Sequence, residues 1–142
     1  MICAGIVSYN PCKERLMDNI KSIISQVAYV IIVDNGSANY TQFSAQLSVL
    51  GDKIIIIRNT DNKGIACALN QIMEQGEILG ATWVLTLDQD SICPTNLIQE
   101  YEKHSQFLSS LNVKNENVGI ICPIIHDRSA GLIEIQNTKE II

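Results

Sequence analysis

An α/β fold organised around a mostly parallel sheet is predicted by three features of this sequence. Short apolar runs alternate with segments whose apolar residues recur at helical spacing. The runs are rich in β-branched residues and apolar throughout, as strands covered on both faces are, rather than alternately polar. Each run also ends in a sharp polar cluster, where a strand hands over to a loop. The 142 residues, 46% hydrophobic and 18% charged, suffice for a single domain over 1–142 with a sizeable core.

Strand one covers residues 2–8 and stops at Tyr9-Asn10-Pro11, because proline cannot donate to a ladder and Asn-Pro initiates turns. Leu16, Ile20, Ile23, Ile24 and Val27 then form an apolar stripe, which predicts helix one over 12–27. Strand two runs over 29–34 and is closed by Asn35-Gly36, a strong turn signal. A weaker stripe at Phe43, Leu47 and Leu50 predicts a short helix two, stopped by Gly51-Asp52 before strand three at 53–58. After a polar loop at 59–63, Ile65, Leu69, Ile72, Met73 and Gly76 mark helix three. Residues 81–87 read as a buried strand four, with Trp83 in the core, ending at Asp88. Pro94 suits the first turn of helix four, which extends to about Ser110. A fifth strand is expected at 118–122 and a loose hairpin around Gly131 at 123–135.

Composition narrows the function. A net charge of −5, with ten scattered Lys and Arg, argues against a nucleic-acid partner, which needs clustered positive charge. Five cysteines (Cys3, Cys12, Cys67, Cys93, Cys122) contain no C-x-x-C pair, so reduced thiols in or near the core are expected instead of disulfides or a zinc site. Apolar runs fall far short of the roughly 20 residues of a spanning helix, and no signal-like start precedes Ile2. A cytoplasmic protein is the expectation, with peripheral contact at the inner membrane face left open. There is no G-x-x-x-x-G-K-[ST] loop and no G-x-G-x-x-G after strand one. His104 and His126 lack metal-ligand spacing and read as ordinary surface residues.

In parallel α/β sheets, ligands bind beyond the carboxyl ends of the strands. That rule gathers Ser8-Tyr9-Asn10, Asp34-Asn35-Gly36-Ser37, residues 59–62, and Asp88-Gln89-Asp90-Ser91. Any one cluster reads equally well as a solvated turn; four on one edge make a candidate site. Asp88-x-Asp90 is the sharpest. In an extended segment i and i+2 point the same way, so both carboxylates could offer oxygen to a hard cation, Mg²⁺ or Mn²⁺, that neutralises a diphosphate. The bland alternative is a pair of exposed turn aspartates. Asp34 can accept a hydrogen bond from a pyrimidine N–H or a ribose hydroxyl, or can simply form an Asx-turn with Gly36 or Ser37.

Five motifs in order resemble the N-terminal half of inverting family-2 glycosyltransferases of the GT-A fold. They are Val7-Ser8-Tyr9-Asn10-Pro11, Asn19-Ile20-Lys21-Ser22, Ile32-Val33-Asp34-Asn35-Gly36-Ser37, Asn59-x-x-Asn62-x-Gly64-Ile65-Ala66 with Asn70, and Trp83 to Ser91. The Thr86-Leu87-Asp88-Gln89-Asp90-Ser91 string is similar to rhamnosyltransferases that use dTDP-L-rhamnose in bacterial polysaccharide synthesis. The resemblance implies a GT-A-type, Rossmann-like three-layer sandwich, incomplete at its carboxyl terminus where the acceptor-side half is missing. It implies that Ser8, Tyr9 and Asn10 line the base pocket, that Asp34 recognises the pyrimidine, and that Asn62 with Gly64 shapes the loop over the nucleoside. Asp88 then contacts the ribose and the metal, and Asp90 is the direct metal ligand. The implied partners are a nucleoside-diphosphate sugar (dTDP-rhamnose or a UDP-sugar) and a glycan or lipid-linked acceptor. The family's general base has no recognisable place here; Asp127 and Glu134 qualify by position alone.

Two competing classes fit less well. A nucleotidyltransferase wants a glycine-rich basic loop after strand one, and a receiver-like regulatory domain wants acidic residues there; this chain has Ser8-Tyr9-Asn10.

Overall fold

The computed structural model describes residues 1–110, 119–121, 126–127 and 131–132. Four strands form one sheet: β1 (Ile2–Ser8), β2 (Tyr29–Asp34), β3 (Ile54–Arg58) and β4 (Trp83–Asp88). They alternate with α1 (Lys13–Ile23), α2 (Tyr40–Val49), α3 (Ile65–Ile78) and α4 (Leu97–Ser110). The sheet order is β3-β2-β1-β4 and every pairing is parallel. From β1 the chain winds outward through β2 to β3, then returns to β1's other side for β4. The order therefore reverses between β1 and β4, the place where such sheets leave a crevice at their carboxyl ends.

The strands form because their β-branched runs can be buried on both faces. Ala4, Ile6, Val30 and Ile32 pack on one face with Leu16, Ile20 and Ile23 of α1 and Phe43 and Leu47 of α2. Cys3, Ile31 and Val33 pack on the other with Ala68 and Ile72 of α3. At about 1.5–3 kcal/mol per buried large side chain, α1 is docked more firmly by its three than α2 by its two. This is the three-layer sandwich expected from the sequence. Met1–Tyr101 forms one compact unit; Glu102–Ile142 forms another, whose described residues include the two-residue strands β5 (His126–Asp127) and β6 (Gly131–Leu132), paired antiparallel.

Several expectations are corrected. Helix one ends at Ile23 instead of residue 27; Val27 is buried in the loop that follows. The buried stripe of α3 is Ala68, Ile72 and Gly76, whereas Ile65 and Met73 are 60% and 52% exposed. Small residues explain the shift, because α3 lies close against the sheet. A Cβ on Gly5 would run into Ile72, and one on Gly76 would come within 2.8 Å of Val84 Cγ2. Counting large apolar residues misses a contact built from residues with little side chain.

Strand four is only half-buried, as the edge of the described sheet, and Trp83 sits in neither apolar cluster. Helix four begins at Leu97, with Pro94 preceding it as the acceptor for the Leu97 N–H at 3.2 Å. Residues 119–121 are not strand, while residues 118 and 122 of that expectation lie outside the described residues. The expected hairpin around Gly131 corresponds to β5 and β6 where it is described. Cys3 and Cys93 are buried free thiols, their pKa values raised by burial. Cys12 departs from the core expectation: it is exposed at the start of α1 and meets Glu14 at 3.3 Å. Cys122 lies outside the described residues. His104 is exposed, as expected.

Candidate functional site

The parallel order brings the four strand-end loops to one edge, and side chains stitch them together. The Asn35 N–H donates to the Ser8 carbonyl at 2.8 Å. Asn10, the single non-glycine residue with positive φ (45°) among the described residues, donates its N–H to Ser37 Oγ at 2.9 Å. Its Oδ1 accepts from the Ala38 N–H, also at 2.9 Å. Asparagine tolerates this left-handed backbone, so the turn after β1 is locked to the turn after β2. On the other side, the Tyr9 N–H donates to Gln89 Oε1 at 2.9 Å, joining β1's loop to β4's. Tyr9 is 47% exposed.

Ser8, Asp34 and Arg58 stand in one cross-strand row, since Ser8 pairs with Asp34 and Asp34 with Arg58 in register. Asp34 is fully buried. Its Oδ2 accepts the Ser37 N–H at 3.4 Å and faces Arg58 Nε at 3.9 Å, both long contacts. The Asx-turn reading accounts for that oxygen alone. Asp34 Oδ1 and the neighbouring Ser8 Oγ are buried with no hydrogen-bond partner among the described residues. Leaving such atoms unmet costs about 1–3 kcal/mol each, and two of them side by side at a strand end are suited to meeting another molecule. Arg58 is held over the Tyr40 ring, 4.3 Å from its centroid, and Tyr40 packs edge-on against Phe43.

The next loop is fixed by an amide network. Asn59 and Gln71 exchange hydrogen bonds in both directions at 2.9 Å. Asn59 Nδ2 also donates to Asn35 Oδ1 at 3.0 Å, and the same oxygen accepts the Lys63 N–H at 3.1 Å. Asn35 Nδ2 donates to Asn62 Oδ1 at 2.9 Å, which in turn accepts the Gly64 N–H at 2.9 Å. Gly64 has φ 82° and opens α3. Gly36 is needed for this closeness. Its φ is +83°, and a Cβ there would lie 2.6 Å from the Asp61 carbonyl carbon.

Beyond β4 the geometry differs from the expected extended pair. The strand ends at Asp88, and the Ser91 N–H returns to the Asp88 carbonyl at 3.2 Å, so Gln89 and Asp90 occupy the middle of a turn. The i, i+2 alternation argument lapses there, because it holds only while the backbone stays extended. By strand alternation Asp88 leaves the sheet on the α3 face, with Val84, opposite the row of Ser8, Asp34 and Arg58. Both aspartates are exposed. Asp90 Oδ2 lies 3.6 Å from Arg15 Nη1, with side chains 52% and 70% exposed. Such a pair is worth no more than about 1 kcal/mol and yields readily to a stronger partner.

No group of three or more His, Cys, Asp or Glu is arranged to hold a metal ion among the described residues. Two exposed carboxylates suit an ion such as Mg²⁺ that takes one or two protein ligands and completes its shell with phosphate oxygens and water. Asp88 and Asp90 fit that donor chemistry. Of the two positional candidates for a base, Asp127 falls in β5 and Glu134 outside the described residues.

Sequence reasoning missed Arg58, Tyr40, Gln71 and Arg15, and gave Gln89 no role beyond its place in the strand-end cluster. Arg58 alone carried a signal: it ends β3 with the same side-chain parity as the residues packed on the α1 face.

A parallel three-layer sheet in the order β3-β2-β1-β4, with four interlocked polar loops at its reversal point, defines a Rossmann-like α/β protein of the GT-A type. Residues 3–109 match Glycosyl transferase family 2, and the chain belongs to that family. It is 32% identical over 127 residues to a dTDP-rhamnosyl transferase, RfbF of Shigella flexneri, covering 89% of this chain and 39% of that protein. Crystal structures of S. aureus TarS 1-349 are similar in fold. One matches with a TM-score of 0.60 at 17% identity, over 77% of this chain and 32% of the other. The same segment in complex with UDP-GlcNAc gives 0.60 at 16%, over 77% and 31%. The chain thus spans 39% of the curated relative's length. No helix among the described residues is long and apolar enough to cross a membrane.

Proposed function

We propose that this chain binds the donor for a glycosyltransferase that moves L-rhamnose from dTDP-L-rhamnose to a glycan or lipid-linked acceptor with inversion, at the cytoplasmic face of the membrane. One observation carries the reading: a fully buried Asp34 carboxylate keeps an unmet oxygen beside an unmet Ser8 hydroxyl, across β1 from the Asp88–Asp90 turn. A pyrimidine imide N–H is a donor suited to that oxygen. The similarity to a dTDP-rhamnosyl transferase supports thymidine and rhamnose over a UDP-sugar.

In this reading Ser8, Tyr9 and Asn10 flank the base, and Asn62 and Gly64 shape the loop over the nucleoside. Asp88 and Asp90 would hold Mg²⁺ or Mn²⁺, which neutralises the departing diphosphate when bound. Because Asp34 and Asp88 lie on opposite faces of the edge, a donor that reaches both must lie across it. Arg15 and Arg58 supply positive charge at that edge despite the net charge of −5. The reading assigns no general base to this chain.

Thermal melts test it. At a hundredfold excess over Kd, dTDP should add about 2.7 kcal/mol in Mn²⁺, a rise of roughly 5–10 °C in Tm. In EDTA the rise should largely vanish, and Asp90→Asn should behave in Mn²⁺ as the wild type does in EDTA. Equal stabilisation with and without the metal would refute metal assistance, and no stabilisation by dTDP or UDP would refute donor binding.

A further inference from the structure

Four side chains of α1 or the turn that follows it, Arg15, Asn19, Ser22 and Gln26, recur at i, i+4, i+7 and i+11, the spacing of one helical stripe. Polar residues on that stripe are unexpected in a helix docked on a sheet, and Asn19 is fully buried. Each of the four touches the segment that leaves β4. Arg15 faces Asp90. Asn19 Nδ2 donates to the Asp88 carbonyl. Ser22 Oγ accepts the Cys93 N–H at 3.0 Å while donating to the Asn19 carbonyl at 2.7 Å. Gln26 Nε2 donates to the Pro94 carbonyl at 2.8 Å, and its Oε1 accepts the Ile98 N–H at 3.3 Å. The hydrogen-bonding contacts therefore run in step from Asn19 to Gln26 on one partner and from Asp88 to Ile98 on the other, while Arg15 reaches Asp90 outside that order.

The segment they hold has little regular structure of its own: between Asp88 and Leu97 there are two isolated turns and no ladder. Its amides and carbonyls need partners, and α1 supplies them at fixed helical intervals. Asn19 accepts an unfavourable arrangement to do so. Its Oδ1 is buried with no hydrogen-bond partner among the described residues, so within them the residue serves through its donor alone.

We propose that Asn19, Ser22 and Gln26 are positioning residues for the Asp88–Asp90 turn, with α1 acting as the template that sets where the two carboxylates stand. The proposal rests on the donor-binding function above, because it assigns the stripe's purpose to the diphosphate half of that site. None of the three touches the donor. They act through the backbone that presents Asp88 and Asp90.

Asn19→Leu separates this role from simple stability. Leucine nearly matches asparagine in shape, and it removes the orphan Oδ1 together with the donor, so the Tm of the ligand-free chain should hold or rise. Hydrogen exchange of the Ser91 amide in the ligand-free protein should nevertheless quicken at least tenfold. The Mn²⁺-dependent part of dTDP affinity should fall at least tenfold, with the affinity in EDTA unchanged. Should Asn19→Leu fail to fold, Ser22→Ala serves, with the Cys93 amide as the exchange probe. Unchanged exchange, or faster exchange with undiminished Mn²⁺-dependent binding, overturns the positioning role while leaving the donor-binding reading intact. A wild-type chain without Mn²⁺-dependent dTDP binding overturns that reading and this proposal with it.

Discussion

The two halves of the carboxyl edge are built on opposite plans. Around β2 and β3, Asp34, Asn35, Ser37 and Asn59 are buried, and reciprocal amide bonds lock one loop to the next. Beyond β4, Asp88 and Asp90 are exposed, and Asp90 faces the solvated Arg15. A rigid ring with fixed hydrogen-bonding edges is best met by a preformed, water-poor wall, since prior ordering lowers the cost of binding. A flexible diphosphate with a cation brings its own strong forces and wants carboxylates that can still move. The contrast accords with a base on the first half and a metal diphosphate on the second.

Mutations sharpen the contrast. Gly36→Ala should have the largest effect. It forces a side chain into a positive-φ position against the Asp61 and Asn62 backbone, at a cost of about 2–5 kcal/mol by denaturant unfolding. Asp34→Asn should come next: dTDP affinity by calorimetry should drop roughly ten- to a hundredfold, as expected for a charged hydrogen bond of about 1.5–3 kcal/mol. That loss should be equal in Mn²⁺ and EDTA, which marks the first half as metal-independent. Gln71→Leu strands Asn59 Oδ1 and one N–H of its Nδ2, whose other bond to Asn35 Oδ1 survives, and should cost about 1–3 kcal/mol in stability. Asp90→Asn should change the stability of the ligand-free chain by less than about 1 kcal/mol. If it instead destabilised the fold as Gln71→Leu does, the two halves would not differ as described.

Much of the sheet could be read in advance because burial on both faces leaves an unmistakable apolar run. β1 and β2 begin and end where the sequence placed them. Segments without such a mandate were harder. The α3 stripe was legible at Leu69, Ile72 and Gly76, but Ala68 was missed and Ile65 and Met73 were wrongly included, because Gly5 and Ala68 make the contact by being small. Trp83 was misassigned because periodicity cannot tell an edge strand from a central one. At the site, strand ends flagged Ser8, Asp34 and Asp88 correctly as loop-proximal residues. Pairings across long separations, such as Asn59 with Gln71 or Asn19 with Asp88, leave no local pattern. The Asp88–Asp90 turn was invisible for a related reason. Whether a strand continues for two more residues depends on what its backbone meets, and here it meets α1.

The central claim is that a nucleoside diphosphate draws a divalent cation to the end of β4. Paramagnetic broadening by Mn²⁺ in amide NMR spectra tests it most directly. The account predicts that substoichiometric Mn²⁺ bleaches the Gln89, Asp90 and Ser91 amides when dTDP is present and leaves them largely intact when it is not. Broadening centred elsewhere, or the same broadening without dTDP, would contradict it.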